Sequence, residues 1–288
     1  ASCQSKQSTI DTTLQTRVDS ILQNKMSEIG AISGQAIVME VQTGEIKAMV
    51  GNGNSQESGL IRTASLLAAL ETGKVKLSDT VDVGEGVYMV HDRELLDHNW
   101  HRGGYGKLTT LQGLMVNSHI ANYKNIERAF TEEQAYFDML DKMNYGQPDN
   151  IEGLDSLKAV HFVTPNDSGW NNTSLAWFCI GYNQRISPIQ MLTFYNAIAN
   201  NGKMVKPTLY KGETEVINPQ IASKANIDSL QMALVKVVTE GLGKPAQSEK
   251  VQVAGVSGGG QLSPEEDNSE GRVNTIYSVE YCGYFPAE

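Results

Sequence analysis

The sequence predicts an α+β fold, with an antiparallel sheet flanked by helices. Three observations carry that expectation. Apolar residues recur at helical spacing in several segments, from Leu14, Val18, Ile21, Leu22 and Met26 near the start to the run around 226–240. Strand-like runs gather near the two ends of the chain, at 35–50 and 251–284. No internal repeat or long linker interrupts the 288 residues, so the expected organisation is an N-terminal tail (1–7) followed by one domain (8–288).

In chain order, Thr9-Ile10-Asp11 opens a helix that runs to about Glu28, with Asp11 as its N-cap. Residues 35–40 and 45–50 read as strands joined by the turn Gln42-Thr43-Gly44. A Gly-, Asn- and Ser-rich loop (51–59) feeds a helix at 62–72, which Gly73 ends. The stretch 80–107 is polar and carries His91, His98, His101 and the turn Gly103-Gly104-Tyr105-Gly106. Helices are expected at about 109–117, 119–130 and 132–143, followed by an irregular polar segment at 146–173. Ser187-Pro188 caps a buried helix at 187–200, and a further helix spans about 226–240. Strands at about 251–257 and 275–284 close the order.

Composition narrows the function classes. A net charge of −10 argues against a nucleic-acid groove, which needs a clustered basic surface. No apolar run is long enough to cross a membrane as a helix, and the chain does not open on a signal-peptide pattern, which a mature exported protein would have lost. Cys179 and Cys282 lie in apolar segments and read as small buried residues. Cys3 stands in a polar tail, where Ala1-Ser2-Cys3 reads either as the remnant of a lipoprotein processing site, with Cys3 as a membrane tether, or as an incidental N-terminus.

The stretch Val253-Ala254-Gly255-Val256-Ser257-Gly258-Gly259-Gly260-Gln261 has the outline of a strand that carries Lys-Thr-Gly in serine acyl-transfer enzymes. Around it stand Ser8-Thr9-Ile10-Asp11, Gln15, the segment 36–48, Leu66-Leu67-Ala68-Ala69-Leu70-Glu71-Thr72-Gly73 and Gly103-Gly104-Tyr105-Gly106. Ile180-Gly181-Tyr182, Ile186-Ser187-Pro188-Ile189-Gln190, the run 197–203 and Gly283-Tyr284-Phe285-Pro286-Ala287 follow in order. Together these resemble the transpeptidase domain of class B penicillin-binding proteins, the cell-division type in particular, over roughly residues 8–288. The resemblance implies a β-lactamase/transpeptidase-like fold with an all-helical sub-lobe, D,D-transpeptidase chemistry on peptidoglycan, a place on the outer face of a bacterial membrane, and no cofactor or metal. By the same resemblance, a further central strand and a C-terminal helix would follow Ala287, so the family's sheet would need another way to close.

Acyl transfer from a peptide needs a nucleophilic hydroxyl, a base to take its proton, a cation for the substrate carboxylate and donors aimed at the oxyanion. The family supplies them through Ser-x-x-Lys, Ser-x-Asn and Lys-Thr-Gly. Matched position by position, the nucleophile falls on Gly59 and its Lys on Arg62, which stays protonated and cannot act as a base. Asn117 and His119 occupy the Ser and Asn of the second motif. Val256, Ser257 and Gly258 occupy Lys-Thr-Gly, so the cation is lost while a hydroxyl remains. The resemblance therefore implies a member without the family's reaction, acting as a binding, scaffold or regulatory protein toward a peptidoglycan stem peptide or envelope and divisome proteins. The alternative is an active serine acyl-enzyme with a relocated nucleophile, for which Ser58 is the candidate, or another hydrolase using Ser58 or His119. A metal reading of Asp92, Asp97, His98 and His101 rests on one His-x-x-His pair with no second pair to match it, so no metal is expected. The acidic run 264–270 reads as a solvated turn.

Overall fold

The computed structural model describes residues 5–262 and 276–287. The described residues hold helices α1 (Thr12–Ile29), α2 (Ile61–Glu71), α3 (Thr110–Met115), α4 (His119–Ala129), α5 (Glu133–Lys142), α6 (Ser174–Phe178), α7 (Pro188–Ala199) and α8 (Lys224–Thr239). The strands are β1 (Gln35–Met39), β2 (Ile46–Gly51), β3 (Thr80–Gly84), β4 (Val87–Val90), β5 (Arg93–Leu96), β6 (Gly106–Thr109), β7 (His161–Phe162), β8 (Gln184–Arg185), β9 (Met204–Val205), β10 (Val216–Asn218), β11 (Ala254–Leu262) and β12 (Ile276–Tyr284). The fold is α+β and the pairings are antiparallel, as expected. The sheet material is divided among two-stranded pairs: β1–β2, β3–β6, β4–β5, β7–β8, β9–β10 and β11–β12.

By its internal contacts the chain divides into two compact units, one of residues 1–56, 143–160 and 186–221, the other of 57–142, 161–185 and 222–288. In the first unit, Ile46, Ile151 and Ile189 form a buried cluster with Ile10, Ile37, Met49 and Leu209 packed against it. Asp11 caps α1 by accepting from the Leu14 N–H. The Gln15 side chain behaves like one more strand residue: its Nε2 donates to the Met49 carbonyl (2.9 Å) and its Oε1 accepts from the Met49 N–H (2.8 Å). Ser187 and Gln190 form a capping box at the start of α7, with Pro188 in its first turn. Buried Gln190 then donates to the carbonyls of Pro148 and Lys158, tying the 143–160 segment to the helix.

The second unit is built around α2, in which every residue from Ile61 to Leu70 is buried. A helix buried on all sides is apolar all round, and this one reads Ala64, Leu66, Leu67, Ala68, Ala69 and Leu70 along most of its length. Arg62, Thr63 and Ser65 are its buried polar residues, and Ser65 is bonded to Tyr136 Oη (2.8 Å) and donates to the Cys179 carbonyl (3.0 Å). Edge-to-face contacts link Tyr136, Phe137 and Phe178 beside it. Two pairs of short strands, β3–β6 and β4–β5, occupy the polar stretch 80–107, to which the sequence reading assigned no strand. Only β3 alternates cleanly, with Val81 and Val83 inward, and four or five residues give too short a pattern to stand out. Cys179 and Cys282 are buried, as expected. Cys3 and the acidic run 264–270 lie outside the described residues.

Candidate functional site

All three motif positions fall in the second unit, at the start of α2, at the junction of α3 with α4, and on β11. The backbone entering α2 is held from behind: the Ser58 N–H donates to the Gly181 carbonyl (3.3 Å). Gly181 has φ +122°, and a Cβ there would stand 2.5 Å from the Ser58 carbonyl oxygen. Only glycine permits both that backbone angle and that approach, which accounts for Gly181 in the Ile-Gly-Tyr landmark.

Gly59, which the sequence reading matches to the nucleophile, is buried. A Cβ at this residue would lie 3.3 Å from the Gly259 carbonyl oxygen on β11. Arg62, 3 % exposed, turns its guanidinium across the same gap: Nε donates to the Gly59 carbonyl (3.0 Å) and Nη2 to the Ser257 carbonyl (2.6 Å). Ser58 is 4 % exposed, and its hydroxyl donates to Glu280 Oε2 on β12 (3.0 Å) while accepting from the Leu60 N–H (3.3 Å). Leu60 meets Gly258, where an added Cβ would stand 3.2 Å from Leu60 Cδ2. The helix start and the strand pair are therefore in direct contact. Sequence reasoning missed Glu280; its signal was a carboxylate in an alternating strand, across the ladder from Gly258.

At the second motif, Asn117 takes the left-handed conformation (φ 58°) between α3 and α4. Asparagine tolerates that region better than serine does, so the residue suits the turn. Ser118 caps α4, accepting from the Ala121 N–H (3.1 Å) and donating to Asp97 Oδ2 (2.8 Å). Asp97 is fully buried and also accepts from the Ile120 N–H (3.0 Å). Burial raises its carboxyl above the usual range, while the Ile120 N–H, the Ser118 hydroxyl and the His119 N–H oppose that shift. His119 opens α4, half-buried, and hydrogen-bonds the Leu96 backbone. Burial, with Arg62 and His98 nearby, lowers its pKa from 6.5 to about 4, so the ring is neutral at neutral pH. A narrow pocket lined by Arg62, Thr110, Ser118, Asn122 and Asn125 remains between α2, α3 and α4.

On the third motif, Val256 is buried opposite Cys282, Ser257 is exposed with its carbonyl bonded to Arg62, and Gly258 pairs with Glu280. The structure thus brings Ser58, Gly59, Arg62, Ser257 and Gly258 together. Ser58 has a carboxylate partner in Glu280, but it is buried. The other candidate ligands serve elsewhere. Asp97 faces the start of α4, His98 Nε2 lies 2.9 Å from both the Val116 carbonyl and Tyr105 Oη, and His101 packs edge-on against Trp100. Among the described residues, Asp92, Asp97, His98 and His101 do not gather into a ligand set.

The penicillin binding protein transpeptidase domain family matches residues 34–288. The chain is 24% identical to penicillin-binding protein PbpB of Mycolicibacterium smegmatis over 331 residues, covering 98% of this chain and 48% of that protein. It is 23% identical to the probable peptidoglycan D,D-transpeptidase PbpC of Pseudomonas aeruginosa over 306 residues, covering 96% of this chain and 51% of that one. The chain thus spans about half the length of these curated relatives. Among solved structures, the transpeptidase domain of penicillin-binding protein 3 from Burkholderia pseudomallei has the same fold, with a TM-score of 0.83 at 20% identity, over 99% of this chain and 85% of that one. A peptidoglycan glycosyltransferase from Burkholderia ambifaria aligns with a TM-score of 0.78 at 20% identity, over 95% of this chain and 89% of that one.

Proposed function

Because this chain belongs to the penicillin-binding protein transpeptidase family, we propose that it is a non-catalytic member, working by binding in peptidoglycan synthesis rather than by cross-linking. One observation carries the reading: the residues at the three motifs cannot perform acyl transfer where they stand. Gly59 offers no nucleophile, Arg62 is a permanent cation bonded to two carbonyl oxygens, and Val256 removes the cation from the strand. Losing one member of such a catalytic unit already removes about four to six orders of magnitude of rate, and here the nucleophile itself is among the members replaced.

The role that fits is a scaffold or regulator at the outer face of a bacterial membrane. Its partners would be a peptidoglycan stem peptide or proteins of wall synthesis and division, and a lipid on Cys3 would tether it. Incubation with a fluorescent penicillin, then a denaturing gel, tests the loss of chemistry. No covalent band is expected, and a band would sink the non-catalytic reading.

A second reading rests on one specific distance. Ser58 Oγ lies 3.0 Å from a Glu280 carboxylate oxygen, a separation at which the carboxylate could take the hydroxyl proton. Its 4 % exposure leaves no room for a substrate carbonyl beside it. A penicillin band that disappears in Ser58→Ala would establish this alternative.

A further inference from the structure

The start of α2 and the β11–β12 pair meet through four contacts of two kinds. Two are steric: Gly59 faces the Gly259 carbonyl, and Gly258 faces Leu60. Neither Gly59 nor Gly258 has a positive φ, so the backbone does not demand glycine at either position. What favours it is space, since any larger residue needs its neighbour to give by a few tenths of an ångström. A Cβ on Gly59 would sit 3.3 Å from a backbone oxygen, and one on Gly258 would sit 3.2 Å from Leu60 Cδ2 and 3.3 Å from the Leu60 nitrogen. The other two contacts are polar: Arg62 Nη2 to the Ser257 carbonyl, and the Ser58 hydroxyl to Glu280. Both are charge-assisted and partly buried, a stronger class of hydrogen bond than a neutral pair.

We propose that these residues form a latch that keeps the face between α2 and β11 shut, with Gly59 and Gly258 as its spacers and Arg62, Ser58 and Glu280 as its fasteners. On this proposal, glycine at position 59 is part of the closure as well as the loss of a nucleophile. A side chain returned there crowds the Gly259 carbonyl and loosens the fit of the strand pair against the helix start. The proposal goes beyond the absence of catalysis and stands or falls independently of it, because its test reads strand position and not acyl transfer.

The chain carries its own reporter. Cys282 is 7 % exposed, lies on β12 two residues from Glu280, and pairs with Val256. Cys179, fully buried at the end of α6, serves as an internal reference. Maleimide labelling of the native protein, read by peptide mass spectrometry, gives the ratio of the Cys282 rate to the Cys179 rate. Gly59→Ser, Arg62→Met and Ser58→Ala are the variants. The Ser58–Glu280 bond is broken from the serine side because the Glu280 charge acts on the Cys282 thiol, and its removal would alter reactivity directly. The ratio should rise about tenfold or more in Gly59→Ser and severalfold in the other two, as local opening becomes less costly. Val279→Thr, on the exposed side of β12, should leave it unchanged. An unchanged ratio in all three variants overturns the latch, as does an equal rise in Val279→Thr. Where Gly59→Ser labels both cysteines together, the protein has unfolded globally; Gly59→Ala and Arg62→Met then decide, and a flat ratio in both also overturns it.

Discussion

At the scale of single residues, the positions matched to the family's reacting groups do structural work. Asn117 suits a left-handed turn, Val256 fills a buried site, and Arg62 spends its charge on two carbonyl oxygens. His119 makes this measurable. Its folded pKa is about 4, against 6.5 for the ordinary ring, chiefly because burial penalises the charged form. Above pH 6.5 the ring is neutral in both folded and unfolded chains, and its contribution to stability is fully present. As pH falls from 6.5 toward 4, the unfolded chain takes up the proton first, and that contribution is lost. The urea-derived stability of the wild type, relative to His119→Gln, should therefore fall by about 2–3 kcal/mol over that window. Parallel pH curves would mean that the ring is hydrated in the folded protein. The identity of each replaced residue was legible from the sequence. Their new partners were not, since Ser257 lies 195 residues along the chain from Arg62 and Glu280 lies 222 from Ser58.

Among elements, the helices other than the five-residue α6, which the reading did not assign, followed it closely on signals such as Asp11 at α1, the Ser187–Gln190 box at α7 and a continuous apolar run for α2. The short strands of 80–107 did not, because four or five residues hold too few turns of the pattern to separate strand from loop. The capping of α4 shows what sequence proximity hides. Asp97, read from sequence beside His98 and His101 as a weak metal candidate, instead reaches the first turn of α4 and accepts from both the Ser118 hydroxyl and the Ile120 N–H. A carboxylate there also meets the positive end of the helix dipole. Asp97→Ala should cost about 3 kcal/mol, by leaving two buried donors unpaired, while Asp97→Asn, which keeps an acceptor oxygen, should cost less. Equal midpoints for the two variants in chemical denaturation would show that the charge, and not the acceptor, is what matters.

For the whole molecule, the non-catalytic function proposed above predicts that activity is not gained by restoring one motif at a time. Gly59→Ser with Arg62→Lys restores the nucleophile and its base, yet Asn117, His119 and Val256 remain and the added side chain meets β11. The double variant should take no covalent label from a fluorescent penicillin, and labelling of it would show that the remaining changes are tolerated. The family and the α+β class were determined by the sequence alone, and the proposed loss of the reacting groups rests on it, because these depend on which residue types stand in which order. That the strand frame Val256-Ser257-Gly258 lies against Leu60 and Arg62, with Glu280 holding Ser58, was decided only by the tertiary structure. The reason is physical: a missing hydroxyl is a property of one residue, whereas a closed face is a property of the distance between residues that only folding brings within a few ångströms.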